Sequence, residues 1–202
     1  FDTYFWTEYI PLRYGEKYGL GPAEAKRALY PRFRDVEGTI NWYCIDYWTE
    51  QLGLDVARLK REVEHLIAVH PYVLEFLEAV EAAGKRRVLV TNAHMKSIEL
   101  KMERTPLAGH LDAVVCSHDF RVPKESPAFW SALQQREPFD PSRAVLVDDS
   151  LPVLRTAGQY GIAHLLAIRK PDSQRPPAEV AEFPALASFR ELLPVRRSCP
   201  SA

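Results

Sequence analysis

One stretch of the chain decides its fold: Arg143-Ala-Val-Leu-Val-Asp148-Asp149-Ser150-Leu-Pro152. Four apolar residues bounded by charges predict a buried strand, and two carboxylates follow it directly. Ser150 is a typical helix-capping residue, and the pattern from Leu151 to Tyr160 predicts a helix that ends at Gly161. The stretch therefore predicts a strand–turn–helix unit of an α/β protein.

The adjacent carboxylates of Asp148 and Asp149 indicate where a ligand binds. In open α/β sheets, ligands bind just outside the carboxyl ends of the strands. Two carboxylates placed there repel each other, and a hard cation such as Mg²⁺ would compensate that repulsion. The alternative is an ordinary strand end whose carboxylates only cap the helix and face water.

Length and composition indicate a globular protein of one core with at most a small additional domain. The chain has 202 residues, 47% of them hydrophobic, and a formal net charge of −1. This charge gives no sign of a nucleic-acid-binding surface, and no apolar run approaches the roughly 18 residues of a membrane span. Cys44, Cys116 and Cys199 have no metal or redox spacing and are typical of reduced cytosolic thiols, so we expect a cytoplasmic protein.

The first part of the chain, residues 1–69, is predicted to form a small all-helical domain. Apolar residues recur there at helical spacing, and no strand-like alternation interrupts them. Pro11 is expected to break or kink the first helix. Pro22 is expected to begin a second helix and Asp55 to cap a fourth, while Gly53 ends the third.

From residue 70 to 194 the pattern changes to alternating strands and helices. The predicted strands are short apolar runs: Val88–Val90, Ala113–Cys116, the run into Asp148 and His164–Ile168. Helices are predicted between them, and a short one near 187–193. This alternation of strands and helices predicts parallel strands with right-handed crossovers. Residues 195–202 are expected to be a frayed tail.

Parallel strands bring three polar groups to the same edge of this predicted sheet: Thr91 with Asn92, Lys124, and the two aspartates. Each has a simpler interpretation, because a strand-end Thr-Asn often caps the next helix and a loop lysine is usually solvated. Together, however, a hydroxyl with backbone amides, an ammonium and a magnesium-binding carboxylate pair make up most of a phosphoryl-transfer site. The component they lack is a nucleophile.

Three motifs in this order closely resemble those of the haloacid dehalogenase (HAD) superfamily: Val-Leu-Val-Thr91-Asn92, Val122-Pro-Lys124-Glu-Ser-Pro and Val-Leu-Val-Asp148-Asp149-Ser150. The resemblance spans nearly the whole chain. It implies a Rossmann-like core at residues 70–194 with a helical cap at residues 1–69. Phe1–Trp6, Asn41–Trp48 and Thr91–His94 resemble the GMP/IMP 5′-nucleotidase branch more specifically.

The resemblance assigns a role to each motif residue. Thr91 would donate its hydroxyl to the substrate phosphate, helped by the backbone amide of Asn92. Lys124 would neutralise charge on the phosphate and on the attacking carboxylate. Asp149 would bind Mg²⁺ directly, and Asp148 would act beside it, through water or as a supporting group.

The family's first motif, an Asp-x-Asp-Gly-Thr type sequence on the central strand, is absent from these 202 residues. In the family, its first aspartate attacks phosphorus and its second acts as general acid and base. That strand would lie between those of Val88–Val90 and Val145–Val147. We therefore expect the natural protein to extend upstream of Phe1, and residues 1–202 alone not to catalyse the reaction.

The cap offers candidates for contacts with a substrate base: Asn41, Trp42, Tyr43, Asp46 and His94. The aromatic side chains could stack on a purine, and the polar ones could hydrogen-bond its edges. Alternatively, the aromatic residues fill the cap's own core and His94 caps a helix. The remaining histidines show no spacing typical of metal ligands.

The resulting hypothesis is a Mg²⁺-dependent phosphomonoester hydrolase that acts on a purine nucleoside 5′-monophosphate. One alternative is a sugar-phosphate phosphatase or phosphomutase of the same superfamily. Another, from a different class, is a non-catalytic relative that binds a phosphorylated ligand. Neither nucleic acid nor a membrane is expected as a partner, and the sequence does not indicate an oligomeric state.

Overall fold

The computed structural model describes residues 1–195, so the predicted tail lies outside the described residues except for Val195. Two compact units are present. Unit 1 comprises Phe1–Ala68, Asn92–Thr105 and Cys116–Pro123, and unit 2 comprises Val69–Thr91, Pro106–Val115 and Lys124 onward. None of the helices in the described part combines the length and apolarity that a membrane crossing requires.

The α-helices are α1 (Asp2–Tyr4), α2 (Ile10–Tyr18), α3 (Pro22–Val36), α4 (Ile45–Leu52), α5 (Val56–Glu62), α6 (Val73–Ala82), α7 (Met95–Arg104), α8 (Pro127–Arg136) and α9 (Leu151–Tyr160). The strands are β1 (Val88–Thr91), β2 (Ala113–Cys116), β3 (Val145–Asp148), β4 (His164–Ile168) and β5 (Ala185–Leu186). The first four strands match the predicted positions. The predicted helix near 187–193 is a 3₁₀ turn at Phe189–Leu192, and β5 is an addition to the predicted strands.

Unit 1 is helical, and several of its helix ends follow the local sequence. The carboxylate of Asp55 accepts a hydrogen bond from the backbone N–H of Arg58 at 2.9 Å and so caps α5. Gly53 ends α4 in the left-handed region, with φ of 61°, which glycine adopts without steric cost. Pro22 occupies the first turn of α3, where its missing N–H is not needed.

Pro11 does not break the first helical segment, so that part of the prediction is wrong, but the helix is irregular directly before it. The chain stays helical from α1 to α2 through a π-helical turn at Phe5–Tyr9. This wider turn ends with the Ile10 N–H donating to the Phe5 carbonyl, which places Pro11 in the first turn of α2. A proline is tolerated there because its ring does not meet an established helical carbonyl.

Aromatic and branched side chains form the core of unit 1. Trp48 lies at its centre, 1% exposed, with Phe33 edge-on at a ring-centroid distance of 5.0 Å. Lys60 is also buried, and its ammonium bonds the Asp2 carboxylate at 2.9 Å. Burial alone would raise the pKa of Asp2, but the charges of Lys101 and Lys60 outweigh it and hold that pKa far below its usual range. The two ammonium groups thereby tie α1 to α5 and α7.

Unit 2 holds the strands in two separate sheets. β1 pairs with β2, and β3, β4 and β5 form a parallel sheet in that order. Within residues 1–195, β3 therefore has a partner on one side only. Its first residue, Val145, is 59% exposed, so the prediction of a fully buried strand is wrong for this end. A parallel strand is normally covered on both faces and paired on both edges inside a sheet.

An ion pair fixes the entry to β1. The carboxylate of Asp112 accepts hydrogen bonds from the Arg87 guanidinium at 3.0 Å and from the Arg87 backbone N–H at 2.6 Å. The hydrogen bonds from the Arg87 side chain have the largest effect and the one from its backbone the next largest. Together they lower the pKa of Asp112 from 3.8 to about 2. Because the folded-state pKa is depressed, the stabilisation is complete above pH ~4 and is lost as the pH falls toward 2.

We expect Asp112→Asn to lower the melting temperature at pH 7 and to flatten the fall in stability between pH 4 and 2. The neutral amide cannot replace the charge-assisted bonds to Arg87, and it does not titrate in this range. Thermal melts across this pH range, with the exposed Asp35→Asn in α3 as matched control, measure the effect. Identical pH profiles for the two variants would contradict this assignment.

Candidate active site

The centre of the candidate site in unit 2 is a buried ion pair. Lys124 Nζ lies 2.5 Å from Asp148 Oδ2, and the two residues are only 9% and 7% exposed. The other carboxylate oxygen of Asp148 accepts a hydrogen bond from the backbone N–H of Ser150 at 3.0 Å. A charge pair that is buried and hydrogen-bonded has little freedom to move, so Lys124 is held at the carboxyl end of β3.

Two buried side chains contact the backbone of Lys124 and of the residue after it. The indole Nε1 of Trp130, in α8, donates to the Lys124 carbonyl at 3.0 Å. The hydroxyl of Thr156, in α9, lies 3.1 Å from the Glu125 carbonyl and 2.6 Å from the Pro152 carbonyl, and it can donate to either of them. Both residues are buried, so the loop that carries Lys124 is attached to two helices rather than lying free in solvent.

Asp149 differs from Asp148 in its surroundings, because it is exposed at the end of β3. Both oxygens of Asp148 accept protein hydrogen bonds, from Lys124 and Ser150. The Asp149 carboxylate lies at the surface, where solvent and ions reach it, whereas the two oxygens of Asp148 already accept protein hydrogen bonds. Carboxylate oxygens are the ligands that Mg²⁺ prefers, so the donor set at this strand end fits that ion.

The predicted phosphate-binding residues lie at the end of β1. Thr91 is the last residue of that strand and is half-buried. Asn92 follows it, is 6% exposed and belongs to unit 1. The helix that follows, α7, begins at Met95. The structure thus brings Lys124 and Asp148 into contact and places Thr91 at a strand end of the same unit.

The base-contact candidates of unit 1 have different environments. Asn41 is exposed, and Tyr43 is half-buried. Trp42 packs edge-on against Phe33, with ring centroids 6.1 Å apart, and belongs to the margin of the core. Asp46 is exposed in the first turn of α4, and a hydrogen bond from the Lys96 ammonium at 2.5 Å lowers its pKa.

His94 caps α7, because its Nδ1 accepts a hydrogen bond from the Lys96 backbone N–H at 3.4 Å. Its Nε2 lies 3.7 Å from Asp46 Oδ2. Burial lowers the pKa of His94, and Asp46 partly offsets this effect. The structure is thus consistent with the alternative that His94 is a capping residue, while a contact with substrate stays a prediction.

A cluster that sequence spacing did not reveal lies in unit 1. Donor atoms of Cys44, His94 and His118 all lie within 4.8 Å of one another. Burial lowers the pKa of His118, and the nearby His94 lowers it further. The three residues are far apart in sequence, so their proximity could not be read from the chain. Only the short Ser-His-Asp segment after β2 marked His118 as a polar residue at a strand end.

Comparison with known proteins identifies the family. The model of the haloacid dehalogenase-like hydrolases matches residues 4–161, more than half of the chain. The chain belongs to this family. Its membership confirms the predicted superfamily, the α/β fold class and the assignment to a family of hydrolases.

Relatives of this HAD chain include enzymes with curated names and solved structures. The GMP/IMP nucleotidase YrfG of Escherichia coli (strain K12) is 38% identical over 194 residues, covering 96% of this chain and 87% of the relative. A HAD phosphatase from Thermococcus onnurineus superposes with a TM-score of 0.75 at 22% identity, covering 94% of this chain and 87% of the other. L-2-haloacid dehalogenase from Xanthobacter autotrophicus has a TM-score of 0.59 at 14% identity, with coverage of 92% and 91%. At these identities, the two structures establish the HAD fold alone.

Proposed function

We propose that this HAD chain is the greater part of a Mg²⁺-dependent phosphomonoester hydrolase for purine nucleoside 5′-monophosphates. The observation that supports the chemistry best is the buried Lys124–Asp148 pair, 2.5 Å long, with the exposed carboxylate of Asp149 beside it. A fixed ammonium next to a magnesium-binding carboxylate suits phosphoryl transfer, in which the negative charges of the phosphate and of the attacking carboxylate must be neutralised.

Lys124 is proposed to place its charge between the phosphate oxygens and the attacking carboxylate. Its ammonium is already desolvated and held by Asp148, so little reorganisation is needed when substrate arrives. Thr91 would donate its hydroxyl to a phosphate oxygen, and the backbone N–H of Asn92 would donate to a second one. These donors lie where parallel β-strands normally present their ligand-binding ends.

Asp149 is proposed as the direct ligand of Mg²⁺, and Asp148 as the residue that supports it through water. When bound, the ion supplies positive charge to the phosphate group. Asp148 keeps both its protein hydrogen bonds in this arrangement, so it holds Lys124 and the Ser150 backbone in position. The exposed and the buried aspartate therefore have separate tasks.

The nucleophile is proposed to come from a strand that pairs between β1 and β3. Within residues 1–195 the two sheets are separate, and the exposed Val145 marks an uncovered end of β3. An aspartate on that strand would form a bond from its carboxylate oxygen to phosphorus while the ester P–O bond breaks. The departing nucleoside oxygen takes a proton, and water then cleaves the aspartyl-phosphate to release phosphate and restore the carboxylate.

The substrate class rests on the 38% identical relative, which is a GMP/IMP nucleotidase, and on the candidate base contacts of unit 1. Asn41 is one of the accessible candidates, since its side chain is exposed. Its amide can both donate and accept hydrogen bonds, as the edge of a purine requires. Phosphate release from GMP by the protein that includes the motif-one strand tests the proposal.

We expect Asn41→Ala to raise KM for GMP and IMP about 10-fold, because one hydrogen bond to the base is lost. The kcat is expected to stay within about two-fold, since the phosphate contacts are untouched. Steady-state kinetics with GMP and with a sugar phosphate measure the change, and KM for the sugar phosphate should not move.

Gln51→Ala, at an exposed amide in the neighbouring helix α4, is the matched control. An equal rise in KM for both substrates in Asn41→Ala would contradict a contact between Asn41 and the base. It would leave the phosphate site as proposed.

A further inference from the structure

Three side chains of unit 1 that can bind a metal converge. They are Cys44, which precedes α4, His94, which precedes α7, and His118, which follows β2. Their sulfur and nitrogen donors all lie within 4.8 Å of one another, and the two imidazole rings meet edge-on at a centroid distance of 5.0 Å. Donors of one tetrahedral zinc ion stand about 3.3–3.8 Å apart, so a closure on the order of 1 Å would form a site.

His118 presents a nitrogen that the protein itself does not use. Its Nε2 is buried and has no hydrogen-bond partner among residues 1–195. The ring also interacts with the backbone of Asn92 and Tyr43. A buried polar atom without a partner is costly, and a histidine held through its other nitrogen is typical of a metal ligand.

Cys44 is held in place at the start of α4. Its Sγ accepts a hydrogen bond from the backbone N–H of Tyr47 at 3.4 Å, in the first turn of the eight-residue helix α4. This bond orients the sulfur, which is a ligand atom that Zn²⁺ prefers.

We propose that Cys44, His94 and His118 bind one Zn²⁺ ion. Sulfur and imidazole donors suit Zn²⁺, whereas Mg²⁺ prefers oxygen ligands, so this site and the Asp149 carboxylate select different ions. Three protein ligands leave a fourth coordination position for water. The ion joins three segments of unit 1 that are distant in sequence.

The test is metal binding by the whole protein, with excess Mg²⁺ present to fill the oxygen site. A chromophoric chelator that competes for Zn²⁺ gives affinity and stoichiometry, and Co²⁺ in place of Zn²⁺ reports a thiolate ligand through a sulfur-to-cobalt absorption band. We expect one Zn²⁺ per chain. Cys44→Ser and His118→Ala should each weaken binding at least ~100-fold and abolish the band.

Matched control variants show whether the zinc ion binds at these three residues or elsewhere on the chain. Serine is itself a good helix cap, so Cys44→Ser keeps the start of α4 and should fold. Cys116→Ser, His65→Ala and Asp149→Asn should bind Zn²⁺ like the wild type. Zinc should also raise the melting temperature of the wild type but not that of Cys44→Ser. Zinc affinity unchanged in both Cys44→Ser and His118→Ala, or lost in Asp149→Asn alone, would overturn the proposal.

Discussion

Replacing Lys124 with methionine should lower kcat for phosphate release by about 100–1,000-fold. The ammonium is buried against Asp148 at 2.5 Å, and the loop that carries it is held by Trp130 and Thr156. No exposed lysine can substitute for a charge fixed in this way. Methionine keeps the length of the side chain, so that the variant removes the charge with little change in volume.

Loss of folding could imitate this result, because Lys124→Met leaves the buried Asp148 carboxylate unpaired. Breaking a buried ion pair costs about 3–5 kcal/mol of stability. The double variant Lys124→Met/Asp148→Asn removes both charges and should recover most of that stability while staying inactive. Lys85→Met, at an exposed lysine, is the matched control. A double variant that is folded and retains near-normal kcat would refute the role of Lys124.

Asp149→Asn should abolish Mg²⁺-dependent turnover, with kcat falling by about 100–1,000-fold at saturating Mg²⁺. The amide has nearly the same shape as the carboxylate but lacks the charge that a hard cation requires. Since Asp149 is exposed at the end of β3, the melting temperature should change little. Activity measured across a Mg²⁺ titration distinguishes a weakened metal site from slower chemistry.

Asp35→Asn, in the exposed part of α3, is the control for this substitution. If Asp149→Asn has a wild-type Mg²⁺ dependence, the assignment of this carboxylate to the metal is refuted. If the dependence is lost in Asp148→Asn and not in Asp149→Asn, the two aspartates have exchanged the proposed roles.

The local sequence predicted the region around the site closely. β3 and α9 lie where the apolar pattern predicts them, and α9 ends at Gly161 with φ of 110°. Ser150 occupies the predicted cap position before α9, but its side chain makes no capping hydrogen bond there. These features depend on residues next to one another in the chain, and the pairing of β3 with β4 follows from the short crossover helix between them. Lys124 was expected near the aspartates, but its ion pair with Asp148 was not predicted, because it depends on how the loop after β2 packs in the folded chain.

Other features depend on the folded chain and could not be predicted from the local sequence. The π-helical turn before Pro11 allows the helical segment to continue where the proline rule predicts a break. The grouping of Cys44, His94 and His118 arises from three segments that only the folded chain brings together. The two-residue strand β5 has too few residues to show a strand period.

The exposure of β3 differs from the burial that its apolar pattern predicts. Its apolar pattern is typical of a strand inside a sheet, yet Val145 is 59% exposed and β3 pairs, in the described residues, with β4 alone. The sequence pattern is thus that of a strand with neighbours on both edges. This agrees with the proposal of a nucleophile-bearing strand between β1 and β3.

The most direct test of the central proposal is phosphate release by the protein that includes motif one. The panel holds GMP, IMP, AMP, pyrimidine monophosphates and sugar phosphates, each with Mg²⁺ and with the ion removed by chelation. We predict Mg²⁺-dependent release with kcat/KM highest for GMP and IMP. Preference for sugar phosphates would contradict the assigned substrate, and a folded protein that releases no phosphate from any of them would contradict the proposed enzyme.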